Sequence, residues 1–157
     1  MKSHTSHAKK LDRKRVLICL LIFFALLPVF SYIHEAGHAL VCLAAGNKPE
    51  ITVDIFSGGT PLCHGDVSNL FAYKISGGLL AGIIGTTAGI ALFKWKILFV
   101  AITTIGIGHL VNAGMEAFAD SDFTNGGEWG LFLGFVEFVT FFSLLLIFDR
   151  KTVKQND

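Results

Sequence analysis

Along the chain, long apolar runs alternate with short polar breaks, and this alternation is its dominant pattern. Residues 16–45 are mostly apolar, interrupted by Pro28 and by the polar cluster HEAGH at 34–38. About 20 apolar residues cross the hydrocarbon core of a bilayer, so this run can cross with tilt to spare. A basic start followed by apolar residues also fits a secretory leader. The apolar region of a leader is about 7–15 residues, however, and this run is longer, so no cleavage is expected.

The pattern changes between 47 and 69. ITVDIF alternates apolar and polar positions, SGGTP supplies turn residues, and LCHGDVS follows. Period-two alternation bounded by turn residues predicts a short β-hairpin or strand-loop. A second apolar run covers 70–93 and is rich in glycine, with Gly78 and Gly82, then Gly85 and Gly89, each four apart. Small residues at that spacing let helices approach closely in lipid, so packing rather than chemistry is expected of them. Lys94-Trp95-Lys96 forms a basic turn in which Trp95 suits a membrane interface. The third run, 97–119, turns polar toward its end with His109, Asn112 and Glu116. An acidic loop, DSDFTNGGEW at 120–129, leads to a fourth, aromatic-rich run at 130–148.

These elements predict an all-α integral membrane protein of about four transmembrane helices, with the short β-hairpin or strand-loop after the first. A single transmembrane domain at 16–148 is expected, between a basic tail at 1–15 and a polar tail at 149–157. Composition agrees: of 157 residues, 52% are hydrophobic and 16% charged, where about 25% charged is usual for a soluble domain. With Lys and Arg at 13 against Asp and Glu at 12, no basic surface for nucleic acid is implied. The distribution of charge says more than its sum. Eleven of the 13 cations lie in the two tails and the Lys94–Lys96 turn, leaving only Lys48 and Lys74 for the opposite face. The positive-inside rule then predicts both termini in the cytoplasm and a multi-pass protein of the cell membrane, with 47–69 and 120–129 facing outward. The three cysteines, Cys19, Cys42 and Cys63, are odd in number and two lie in apolar runs. No disulfide framework follows from them, and the redox compartment cannot be read from them.

HEAGH carries the chemistry. On a helix, His34 and His38 are four apart and share a face, so both imidazoles can bind one zinc ion while Glu35, beside that face, serves as a base toward water. A glutamate flanked by two histidines inside a membrane span is costly unless paired or functional. A polar patch lining a bundle interior is the plainer alternative.

HEAGHAL within an apolar run resembles the metal motif of the site-2 protease family, the intramembrane zinc metalloproteases. The resemblance implies a small membrane core with both histidines on one helix. It also implies a third ligand, an Asp on a later helix in the pattern N-x-x-P-x-x-x-x-D-G. Asn112 stands eight residues before Asp120, at the family spacing, whereas Met115 replaces the Pro and Ser121 the Gly. The family generally places its zinc nearer the cytosol; the charge bias here places HEAGH toward the outer face.

Depth gives a separate handle on the third ligand. His34 and His38 lie 19 and 23 residues beyond Arg15, and Glu116 and Asp120 lie 20 and 24 beyond Lys96. At about 1.5 Å per residue, both carboxylates reach the level of the histidines. Asp120 is the ligand by resemblance; Glu116 is equally suited by its place inside the apolar run, since two His and one Glu complete a catalytic zinc site. Asn112, one or two turns before them on the same stripe, would bond substrate backbone, hold a ligand, or simply tie two helices.

The remaining polar residues are weaker candidates. His109 is expected to bond a neighbouring helix, with support of the zinc ligands as the less favoured role. Cys63-His64 could approach the metal and keep it silent, a reading that the pair's spacing supports poorly. Glu137 should face the bundle or an interface rather than lipid. The ITVDIF strand could hold an extended substrate by strand addition. Together the residues point to a zinc metalloendopeptidase cutting membrane-spanning or membrane-adjacent proteins within the lipid bilayer. The alternative is a non-catalytic membrane module that binds metal or a partner protein.

Overall fold

The computed structural model describes residues 12–54, 58–118 and 127–153. Helix α1 runs Arg13–Ala44, followed by strands β1, Lys48–Asp54, and β2, Gly58–His64. Three helices follow: α2 at Leu70–Ala91, α3 at Lys96–Phe118 and α4 at Gly127–Val153. Among the described residues, four helices are long and apolar enough to cross a membrane. The expected spans and the hairpin after the first are therefore present, with shifts of a few residues at their ends. The largest is at α4, which extends beyond the apolar 130–148 run at both ends.

Local chemistry explains the boundaries. Asp12 caps α1 by accepting from the Lys14 amide, so the helix begins among basic residues rather than at Val16; long cationic side chains can reach water while their backbone stays helical. Pro28 is accommodated inside α1, as membrane helices allow. Gly46, with φ of 78°, supplies the left-handed residue that ends the helix. Asn69 caps α2 by accepting from the Ala72 amide at 2.9 Å.

The hairpin is antiparallel, with Lys48 opposite His64 and Glu50 opposite Leu62. Its base is locked twice. Asn47 Nδ2 donates to the Asp66 carbonyl at 2.7 Å, and a disulfide joins Cys42 of α1 to Cys63 of β2, their Cα atoms 5.8 Å apart. Two of the three cysteines are thus joined, a pairing that their number and placement in the sequence did not supply. Cys42 lies inside an apolar run in sequence, yet it sits at the hairpin end of α1, and the register of β2 turns Cys63 onto it.

The most extensive interface is α2 against α3, and glycine makes it. A Cβ on Gly78, Gly85 or Gly89 would collide with Ala113, Gly106 or Thr103 of α3 respectively. The expected small-residue seam is therefore present, and it brings α3 close enough to α1 for both to contribute to one site. A mainly apolar core of Cys19, Phe23, Phe30, Val100, Ile105 and Phe141 fills the space among α1, α3 and α4. Large apolar side chains such as Leu21, Phe24, Ile83, Ile90 and Phe135 face outward, as a lipid-exposed surface would.

Candidate metal centre

His34 and His38 lie one helical turn apart on α1, their ring centroids 4.9 Å apart and their Nε2 atoms 3.1 Å apart. Glu116, near the end of α3, meets them from across the bundle. Its Oε1 is 3.2 Å from His34 Nε2, and its Oε2 is 3.8 Å from His38 Nε2. The three donors fall within 4.8 Å of one another. Both histidines are buried and Glu35 is 3% exposed, whereas the Glu116 side chain is 24% exposed.

Helix α2 forms the wall of this site. A Cβ on Gly37 would overlap the Ser76 carbonyl oxygen, and a Cβ on Gly77 would overlap His38 Nε2 and come within 2.8 Å of His34 Nε2. Only glycine at both positions allows the backbone of α2 to lie directly against the imidazoles. The same approach orients a ligand. His38 Nδ1 lies 2.7 Å from the Tyr73 carbonyl oxygen; a carbonyl can only accept, so Nδ1 carries the proton and the Nε2 lone pair of neutral His38 is directed into the site. The Tyr73 ring also packs on His38 at 5.1 Å. On α3, Asn112 Nδ2 donates to Glu116 Oε1 at 3.0 Å, holding that carboxylate from one turn away.

The donor set fits a divalent cation. Two imidazole nitrogens and a carboxylate converge within 4.8 Å of one another. Glu35 Oε2, Glu116 Oε2, Asn112 Oδ1 and His34 Nδ1 are also buried without hydrogen-bond partners. Each such atom costs about 1–3 kcal/mol, against about 5–15 kcal/mol for the stability of a whole domain. A cation held by His34, His38 and Glu116 would give Glu116 Oε2 a partner and so offset one part of that cost.

The sequence-derived candidates separate clearly. His34, His38 and Glu116 come together as a cluster that could hold a metal ion, with Asn112 bonded to Glu116 and Glu35 buried beside them on α1. Asp120 lies outside the described residues. Cys63 does not approach the metal donors as a free thiol, because it is bonded to Cys42, and His64 pairs with Glu50 at 3.0 Å. His109 lies between Phe30 and His34, with ring centroids 6.1 Å and 5.3 Å away. Glu137 faces the bundle as expected, against Gly108 of α3, where it lines an apolar cavity of about 220 Å³ with Phe23, Phe138 and Phe141. Gly37, Gly77 and the Tyr73 carbonyl went unanticipated. Gly77 stands beside the Gly78 stripe and shares its sequence signal, but nothing in its spacing distinguishes packing on α3 from packing on an imidazole.

No protein-family model, no curated protein and no solved structure matches the chain.

Proposed function

We propose that this chain is an intramembrane zinc metalloprotease, similar in its metal motif to the site-2 family, that hydrolyses peptide bonds of proteins in or beside the bilayer. The observation that carries the reading is the convergence of His34, His38 and Glu116 beside Glu35, whose buried Oε2 has no hydrogen-bond partner. His34 Nε2, His38 Nε2 and the Glu116 carboxylate would hold the ion. Two nitrogens and one carboxylate leave a fourth position open, the donor set typical of catalytic rather than structural zinc. Bound there, zinc supplies Lewis acidity that polarises a peptide carbonyl and makes water nucleophilic near neutral pH.

The chain's own groups supply the proton transfer and the positioning. Glu35 Oε2 would accept the proton of the attacking water and return it to the departing amine. The Tyr73 carbonyl keeps His38 in the tautomer that ligates, and Asn112 Nδ2 keeps Glu116 turned toward the histidines. Burial of Glu35 and both histidines excludes bulk water from all but the Glu116 side of the cluster.

Zinc content of the detergent-purified chain tests the site. About one zinc per chain is expected, falling to near zero in a His34→Ala, His38→Ala double variant; a folded, metal-replete wild type without zinc removes the enzyme reading. Glu35→Gln should keep the zinc and lose cleavage altogether. Retention of cleavage in that variant would sink the role given to Glu35, while zinc binding without any cleavage by wild type would favour the non-catalytic metal-binding module.

A further inference from the structure

We infer that the metal centre works from the extracytosolic face of the membrane, so that its substrates are membrane-anchored polypeptides whose scissile segment is reached from that oxidising side. The substrate half of this inference rests on the protease reading above; the sidedness does not.

Two independent observations give the sidedness. The first is chemical. Cys42 lies one helical turn beyond His38 on α1 and is bonded to Cys63 of the hairpin. Disulfides persist in oxidising compartments and are rare in the cytosol, so the hairpin end of the bundle belongs on the oxidising side. The second is the distribution of cations. Arg13, Lys14 and Arg15 begin α1, Lys94 lies in the α2–α3 turn and Lys96 begins α3, and Arg150 and Lys151 lie in the last turn of α4, all at the opposite end from the hairpin. The packing ties these residues to one level: Cys19 Sγ lies 3.4 Å from the Ile97 carbonyl, and Arg15 and Lys96 line a common cavity. Among the described residues, Lys48 and Lys74 are the only Lys or Arg at the hairpin end. The positive-inside rule therefore orients the bundle as the disulfide does.

The metal centre belongs to the hairpin end. His38 and His34 are six and ten residues from Ala44, the last residue of α1, a rise of about 9–15 Å. Glu116, the donor with the most exposure, is two residues from the end of α3 at the same face. A polypeptide emerging from the outer end of its own span meets the cluster at this depth, whereas one approaching from the cytosol would have to traverse most of the bundle.

The test uses the full chain in the inner membrane of bacterial cells. Exposed residues at the two ends are replaced singly, Glu128→Cys and Lys94→Cys, and intact cells are treated with a membrane-impermeant maleimide. Glu128→Cys should label in intact cells and Lys94→Cys only after permeabilisation. Wild type, with Cys19 buried and the other two cysteines joined, should label only after an impermeant reductant. The reverse pattern, or free Cys42 and Cys63 in wild type, overturns the sidedness. Zinc is measured on the same preparations: reversed labelling with normal zinc leaves the protease reading standing, and outward labelling without zinc removes the protease reading alone. Two co-expressed single-span reporters, with one unstructured flank placed outside or inside, test the substrate half. Wild type but not Glu35→Gln should shorten the reporter with the outer flank. Shortening of the inner-flank reporter alone, or of neither when zinc is present, overturns that half.

Discussion

Helix α2 contains two glycine regions that look alike in sequence and differ in what they hold. Gly82, Gly85 and Gly89 press against α3 at Leu110, Gly106 and Thr103, where the neighbours are backbone and side chains of a plain helix interface. Gly77, one turn nearer the hairpin, presses against the two imidazoles. The same device, removal of a Cβ so that backbones can meet, serves cohesion in one region and ligand placement in the other. A glycine stripe therefore does not report its purpose; what lies across from it does.

Paired substitutions break this comparison most sharply. Gly77→Ala should lower zinc affinity by about 100-fold or more, the upper range for disturbing groups that orient ligands, because the added methyl occupies the space of His38 Nε2. Gly85→Ala should leave one zinc per chain and lower stability by about 1–3 kcal/mol, the usual cost of overpacking, because Gly106 Cα would lie 2.6 Å from the new Cβ. Zinc titration and thermal unfolding of both variants should cross over in this way; equal loss of zinc in both would show that the two regions are not separable.

Glu116→Ala sharpens the comparison from the side of α3. It should weaken zinc by at least about 100-fold, since losing a ligand costs no less than disturbing a group that orients one, with little effect on unfolding, and unchanged affinity would return the ligand role to Asp120. Asn112→Ala should have a smaller effect, about 10-fold in zinc affinity, because it removes only the hydrogen bond that steadies Glu116. If Asn112→Ala matched Glu116→Ala, the amide would have to be more than a positioning group.

How much of this was legible in the sequence follows from the range of each interaction. The helices and hairpin were legible because their signals are local: apolar run length, period-two alternation, Asn69 as a cap, turn residues around 57–60. His34 and His38 were legible for the same reason, since four-residue spacing on a helix fixes a shared face. Glu116 was reachable because helix rise converts residue number into depth. The Tyr73 carbonyl was not, because every residue has a carbonyl and only the crossing of α1 and α2 selects this one. The Cys42–Cys63 bond escaped because it depends on the register of β2, and a one-residue slip would have turned Cys63 to the other face.

The crossing at Gly37 and Gly77 has one more consequence, for metal exchange. Many small zinc domains acquire their shape only when the ion arrives, so that chelation unfolds them. Here the imidazoles are held by the backbone of α2 and by a carbonyl hydrogen bond, within a bundle whose core lies elsewhere. Removing the ion should therefore leave a folded apoprotein that reloads without refolding. In the proposed site the ligands would be ordered when the helices pack, before any metal binds, so that little of the binding free energy would go into folding the chain.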